Sequence, residues 1–549
     1  MATGAEALVR GLERAGMPIV FGVPGIHNLP LVIQLKAQGL RFVALHSPSA
    51  AVLAASGYTR RSGKPAVALG GPGPGPLATL EAVAEARAGE VPLLLLRTLP
   101  EPPDLPGPPR PASPPPEPVV GHARARVLWS VSDDLITAVR GARDEAVAAR
   151  SGPVAVDLAP GLLTGTARPE PEEDVHAEVA PRAAAAGVEH VQLRRAGNLV
   201  DDSQNVLIWA GGGALRAGAG GVVAELAEKV GAPVMTTVQA AGLLPARHPC
   251  LVGMPPHLPQ VGRLWDDADL VIAIGTDFDE QATQGLRMPS PDSLIAINID
   301  AGEAGRHYRP DVLLRGDART LTKALADTVG YRGGTAVVRS RLEDIRGSVR
   351  RDLADSDPTA VVFLEAIAAA LPDRTTVVAD PSAAGGWLAA FHEWTLPRTL
   401  LFPSDIDAVG TALPIAIGAA ATPSPEPVVA VIGDEGFLSH LGELAVLTRE
   451  KLPLTVLVVD DGGPGRLRPT LAGMDSDPGL LDHASVDLAG TARTFGLRAD
   501  VVTEAGEELT TALRAHIAAP DPTVLVLQSR LGVPPTDQSR WYRRNDGVA

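Results

Sequence analysis

The stretch that most constrains this chain is residues 428–465, VVAVIGDEGFLSHLGELAVLTREKLPLTVLVVDDGGPG. An apolar run of strand character, Val428 to Ile432, stops at Gly433-Asp434. A helix-permissive segment, Gly442 to Lys451, follows. A second, β-branched run, Leu454 to Val459, stops at Asp460-Asp461-Gly462-Gly463. Two short apolar runs bracketing a helical segment read as one strand–helix–strand crossover of a parallel sheet. Ligands of such units bind beyond the carboxyl ends of the strands, where both acidic clusters fall. Hard carboxylate oxygens beside glycines that permit close backbone approach suit Mg²⁺ holding a diphosphate.

The same grammar runs through the rest of the chain. At 549 residues it is too long for a single core. Its alternating strand and helix patterns predict an α/β protein of three doubly wound parallel-sheet domains, at 1–165, 191–330 and 356–549. In the first domain a strand at Ile19 to Phe21 enters a Gly/Pro turn, which places His27 at a strand's carboxyl end. A strand from Arg41 to Leu45 runs into His46-Ser47-Pro48, and a small-residue helix then leads to Gly57-Tyr58-Thr59-Arg60. Residues 99–118, LPEPPDLPGPPRPASPPPEP, carry too much proline for helix or central strand and read as an extended loop. In the second domain the strand Val206 to Ala210 ends in Gly211-Gly212-Gly213. That turn lacks the Gly-x-Gly-x-x-Gly fingerprint, so a structural turn is the better reading. Gln239 follows the next strand. The third domain opens with a strand from Thr375 to Ala379 and the turn Asp380-Pro381-Ser382-Ala383-Ala384, and later carries Asp407-Ala408-Val409-Gly410.

Bulk properties exclude several classes. The formal charge of −16, without a basic stripe, argues against nucleic acid as a partner. The single cysteine, Cys250, leaves no disulfide framework or cysteine-rich zinc site. No apolar run reaches membrane-spanning length, and the first residues read as an amphipathic helix rather than a leader. A soluble, cytoplasmic protein is the expectation.

In order and spacing these motifs resemble the thiamine diphosphate (ThDP) enzymes of the acetolactate synthase–like group. The shared features are Phe21-Gly22-Val23-Pro24-Gly25, Gly57-Tyr58-Thr59-Arg60, Gly63-Lys64-Pro65, Gly73-Pro74-Gly75, and the Gly433-Asp434 to Asp460-Asp461 unit. The resemblance implies pyrimidine-binding, middle and diphosphate-binding domains, with ThDP and Mg²⁺ as cofactors. It implies Asp434, Asp461 and the Gly463 carbonyl as metal ligands. Ser382, Ala383 and Ala384 lie at the diphosphate, with Gly433, Glu435 and Gly436 alongside. Val409 takes the place of the apolar wedge that bends the cofactor, and the Asp407 carbonyl that of the acceptor for its 4′-amino group.

Departures from the family pattern are informative. Pro48 falls where the family carries a glutamate that hydrogen-bonds the aminopyrimidine, with Ser47 and His46 in place of a histidine and an arginine. General acid–base groups contribute about 10²- to 10⁴-fold, so losing one slows chemistry without forbidding it. Glyoxylate carboligases, which lack this glutamate, are a precedent. Glu435, in place of glycine, puts a carboxylate near the diphosphate. His27, His46, Ser47 and Gln239 are the candidate catalytic polar groups. The resemblance implies decarboxylation or carboligation of a small 2-oxo acid by a homodimer or homotetramer. FAD, carried by the middle domain of some members, is not assigned. The alternatives are a cofactor-binding subunit that has lost efficient catalysis, a lyase without carboligation, or a nucleotide-binding protein using only the middle domain.

Overall fold

The computed structural model describes residues 2–70, 75–98, 123–130, 133–159, 161–168, 189–403, 409–483 and 486–537. The proline-rich run at 99–118, most of the stretch between the first two expected domains (169–188), Asp407 and the last twelve positions lie outside the described residues.

Three parallel sheets form where the sequence alternates apolar runs with helical segments. The first contains β1 (Ile19–Gly22), β2 (Arg41–Ala44), β3 (Ala66–Gly70), β4 (Leu93–Thr98), β5 (Ala125–Trp129) and β6 (Pro153–Leu158), in the order β2-β1-β3-β4-β6-β5. The second contains β7 (Val206–Ala210), β8 (Val234–Thr236), β9 (Leu270–Ile274), β10 (Leu294–Asn298) and β11 (Val312–Arg315), in the order β11-β10-β9-β7-β8. The third contains β12 (Thr376–Ala379), β13 (Leu400–Leu401), β14 (Val428–Gly433), β15 (Leu454–Asp460), β16 (Arg498–Val502) and β17 (Thr523–Gln528), in the order β13-β12-β14-β15-β17-β16. Central strands such as β4, β9 and β14 are buried along their whole length, as helices on both faces require.

The first and third sheets share one strand order. In all three the chain first moves to one side and then crosses to the other. This puts a switch-point crevice between β1 and β3, between β7 and β9, and between β12 and β14.

Helix formation after β14 begins earlier than the sequence pattern predicts. The chain turns helical at Asp434–Ser439, passes through a 3₁₀ turn at Leu441–Glu443, and continues as Leu444–Glu450. Gly433 takes the N-cap position, and Asp434 and Glu435 place negative charge in the first turn, where the helix dipole favours it. The acidic motif is therefore part of a helix start rather than a free loop.

The first and third domains meet through two helices of small residues, Pro48–Ser62 and Ala412–Ala420. A Cβ on Gly57 would lie 1.9 Å from the Ile415 carbonyl oxygen, and one on Gly418 would lie 1.8 Å from that of Ala54. Only glycine permits this backbone approach. Arg61 and Arg41 donate to the carbonyls of Ala419 and Ala421 at 2.8 and 2.9 Å, which caps the end of the second helix. The middle domain joins the third through the long helix Thr335–Ser356. Among the described residues no helix is long and apolar enough to cross a membrane.

Candidate active site

The third sheet's switch point concentrates carboxylates. Asp380 follows β12 and is fully buried. Its two oxygens accept from the backbone N–H groups of Ser382 (3.2 Å) and Gly433 (3.3 Å), so it pins the ends of β12 and β14 together. Burial pushes its carboxyl up to about 6. A Cβ on Gly436 would lie 2.3 Å from the same carboxylate, and one on Gly433 would lie 3.1 Å from Ser382 Cβ. Both glycines are there because backbone and side chain have closed on each other. Ser382 caps the helix Ala383–Phe391, its Oγ accepting from Gly385 N–H at 3.2 Å. Ser382, Ala383 and Ala384 thus line a helix N-terminus at the crevice, a setting that favours anions.

Asp434 faces the loop after β15. Its Oδ2 accepts from Gly462 N–H (3.1 Å) and Gly463 N–H (2.8 Å) and meets His483 Nε2 at 2.8 Å. Both glycines have positive φ, +83° and +142°, which the tight turn under Asp434 requires. Asp461 pairs with Arg468, whose Nη1 lies 3.2 Å from Oδ2 and whose Nη2 donates to the Asp461 carbonyl at 2.8 Å. Burial, and then the charge of Asp434, push Asp461 up to about 6. Burial and Asp434 also raise Glu435, which is half-buried and stays within the field of the other acids.

Like charges gathered in this way disfavour one another, and a divalent cation offsets that repulsion. The donor set of Asp434, Asp461 and main-chain oxygen fits a hard, oxygen-preferring metal. Among the described residues no three of His, Cys, Asp and Glu are grouped as a ready metal site. The Gly463 carbonyl meanwhile accepts from Gly465 N–H at 2.8 Å. Arg468 and His483 hold the oxygens such an ion would take.

The remaining candidates are dispersed. Val409 is 47% exposed at the edge of the described chain, so it is no core residue. A Cβ on the next residue, Gly410, would lie 2.0 Å from Ser439 Oγ. Pro48 is the first residue of its helix, where a missing N–H costs nothing. The backbone N–H groups of His46 and Ser47 donate to Glu443, which is 2% exposed and reaches across from the third domain at 3.2 and 3.0 Å. The His46 ring is half-exposed, with Nδ1 3.5 Å from that carboxylate. His27 is partly buried in the turn after β1, next to fully buried Asn28. Asn28 holds this turn by donating to the Val23 carbonyl (3.0 Å) and accepting from Gly25 N–H (2.8 Å). Gln239 is a bracket between domains. Its Nε2 donates to the carbonyls of Phe402 (3.3 Å) and Pro403 (2.9 Å), at the start of the segment that leads to Val409.

Four residues that organise this region carry no local sequence signal: Asn28, Glu443, Arg468 and His483. Asp380 stands at a strand end, where an acid is legible.

At the middle domain's switch point the triglycine turn is structural. Gly211 N–H and Gly213 N–H donate to the carbonyls of Ile274 and Gly275, both at 2.9 Å, so these amides are not available to a phosphate. A Cβ on Gly213 would lie 2.9 Å from Gly275 Cα.

Comparison with known proteins accounts for this geometry. The family described as thiamine pyrophosphate enzyme matches in three parts: the N-terminal TPP binding domain at residues 2–106, the central domain at 193–325 and the C-terminal TPP binding domain at 380–527. The chain is similar to the probable 2-ketoarginine decarboxylase of Pseudomonas aeruginosa, 30% identical over 90% of this chain and 88% of the relative. It is also similar to the probable acetolactate synthase large subunit of Methanocaldococcus jannaschii (27% identical, covering 95% and 91%) and to acetolactate synthase isozyme 1 large subunit of Escherichia coli (27%, covering 84% and 82%). With three sheets in this order and an acidic switch point in the last, the chain belongs to the thiamine diphosphate-dependent enzymes, in their acetolactate synthase–like branch.

Proposed function

We propose that this protein decarboxylates a 2-oxo acid, with or without joining the product to a second carbonyl compound, using ThDP and Mg²⁺. The carboxylate cluster at the β12/β14 switch point carries the reading, because Asp380, Asp434 and Asp461 meet there beside the N-terminus of the helix Ala383–Phe391, within the stretch that matches the C-terminal TPP binding domain. ThDP supplies the electron sink for loss of CO₂. Asp434, Asp461 and the Gly463 carbonyl would hold Mg²⁺ once Arg468 and His483 give way. Ser382, the amides of Ala383 and Ala384, and Gly433 and Gly436 would cradle the diphosphate, with Glu435 turned from it. Val409 and the Asp407 carbonyl would shape the ring end of the cofactor. On this reading domains 1–165, 191–330 and 356–549 are the pyrimidine, middle and diphosphate domains, and a homo-oligomer of at least two chains completes each site.

Pro48 offers no proton relay. His46, Ser47 and His27 stand at the strand ends of the first sheet and are the polar groups left to order water there. Gln239 acts as a positioning residue through Phe402 and Pro403. Pro48 also favours a second reading, a cofactor-binding subunit with little turnover.

One experiment separates the two: thermal shift with ThDP and Mg²⁺, paired with CO₂ release from 2-oxo acids that include pyruvate and glyoxylate. Stabilisation with CO₂ release is the expected result. Stabilisation without release from any of the acids gives the second reading. No stabilisation at saturating cofactor sinks both.

A further inference from the structure

The helix that begins on the acids of the third sheet ends on a histidine. Asp434–Ser439 spans six residues, and His440 is its C-cap. At 1.5 Å per residue this helix sets His440 roughly 9 Å along the axis from Asp434. The His440 carbonyl then accepts from Glu443 N–H at 2.9 Å, which starts the 3₁₀ turn. Glu443 is the acid that holds the His46 and Ser47 amides beside Pro48. His440 thus stands on the short path between the acidic crevice and the strand end of the first sheet.

The hydrogen bonds around the ring assign its tautomer. Ser439 Oγ donates to the Gly436 carbonyl at 2.9 Å and lies 3.0 Å from His440 Nδ1. The hydroxyl has one proton and a carbonyl can only accept, so Nδ1 must donate to Oγ. Nε2 is left as the acceptor. Burial lowers the pKa of His440 from its ordinary value near 6.5, so the ring is neutral at pH 7. Among the described residues Nε2 has no hydrogen-bond partner, and it is not sealed away as His257 Nδ1 and His516 Nδ1 are. His483 and His516 turn Nε2 onto carboxylates at 2.8 and 2.9 Å, whereas His440 has no ion pair among the described residues.

The ring also lies against the segment that carries Val409. A Cβ on Gly410 would lie 3.3 Å from His440 Nδ1, and one on Gly436 would lie 3.4 Å from the Gly410 nitrogen. Gly410 has a φ of +92° and is wedged between Gly436 and the Ser439-His440 pair. If Gly436 borders the diphosphate and Val409 the ring end of the cofactor, His440 is on the side of the rings.

We infer that His440 is the acid–base group of this site, doing the proton work for which Pro48 is unfit, with Ser439 as its positioning residue. The inference rests on the decarboxylase reading. Nε2 takes up the proton that leaves the reactive carbon of the cofactor and holds it as N–H. When the bond to CO₂ breaks, its electron pair stays with the substrate, and the former keto carbon takes that proton from Nε2 as the aldehyde C–H forms. Each later turnover consumes one proton, because a carboxylate leaves as neutral CO₂, and Nε2 regains it from water through its open side.

Hydrogen–deuterium exchange at the reactive carbon of bound ThDP, read by NMR after acid quench, tests this without substrate. The unaltered protein is expected to exchange faster than free ThDP in the same buffer. His440→Gln is expected to slow exchange about 100-fold, with affinity for ThDP and Mg²⁺ held within about three-fold and the melting temperature unchanged. Added imidazole is expected to restore part of the rate, and Ser439→Ala to slow exchange by a smaller factor. Exchange that is unchanged in His440→Gln, or that falls only in step with affinity and is not rescued by imidazole, would overturn the inference and leave the cofactor assignment standing. Exchange by the unaltered protein no faster than that of free ThDP, with the cofactor bound, would overturn it in favour of the low-turnover subunit. No stabilisation of the unaltered protein by ThDP and Mg²⁺ would sink the decarboxylase reading itself, and the inference with it.

Discussion

The first and third sheets have the same strand order and opposite chemistry at their switch points. Between β1 and β3 the crevice is edged by residues 22–28 and 46–49, which contain no acid. Its turn is shaped by Asn28, through Val23 and Gly25. Between β12 and β14 stand Asp380 and Asp434, with Asp461 alongside and the side chains of Arg468 and His483 drawn onto them. Topology supplies a crevice in both places, and the side chains at the strand ends decide what enters it. One crevice is thus edged by uncharged loop residues, with the Glu443 carboxylate held on the His46 and Ser47 amides, and the other gathers carboxylates.

Asp434→Ala attacks this contrast where it is strongest. It removes the carboxylate that ties Gly462, Gly463 and His483 to β14. Stabilisation by ThDP and Mg²⁺ is expected to fall about 100-fold or more in apparent affinity, read by thermal shift across a cofactor titration. Retention of affinity within about three-fold would mean that the acidic crevice is not the cofactor frame.

The mirror change, Asn28→Ala, strips two hydrogen bonds from the neutral crevice. It is expected to cost about 1–3 kcal/mol of stability in urea unfolding, the range for leaving buried partners unmet. Cofactor affinity should move far less than in the Asp434 variant. A larger loss of affinity than of stability would show that the first crevice does more than shape a turn.

The smallest effect is a pH dependence. Burial holds the Asp380 carboxyl near 6, above its unfolded value of about 3.8. Between those values the folded protein binds more protons than the unfolded chain, so this group's stability contribution is lost as pH rises through the window. The cofactor-free protein should lose about 2 °C of melting temperature between pH 4 and 6 from this group. Asp380→Asn should flatten that slope, and Asn28→Ala should not.

Much of the frame was legible because buried parallel strands must be apolar on both faces. Runs such as Val428 to Ile432 and Leu270 to Ile274 announce themselves. The two-residue β13 and the edge strand β16, where Arg498, Asp500 and Val501 face solvent, do not. The start of the helix at Asp434 was hidden because two acids and a glycine read equally well as a loop. Acids at strand ends were legible for the same reason that the strands were. The groups that position them were not, because they act across the fold. Glu443 holds a backbone 396 positions away, and His483 reaches Asp434 across 49. Gln239 drew attention by its place after a strand, but its bond to Pro403 spans two domains and leaves no trace in local sequence.

The crossing of helices Pro48–Ser62 and Ala412–Ala420 bears on how this chain is made. Residues 50–59 are buried in succession, and their outer face is covered by a helix encoded roughly 360 positions later. At about 5–20 residues per second, a ribosome leaves that face without its partner for roughly 20–70 seconds. During this interval the small-residue surface that later locks two domains together is open to any neighbouring chain. A nascent protein of this design depends on timing as well as on sequence, and chains interrupted before Ala420 will be the ones that aggregate.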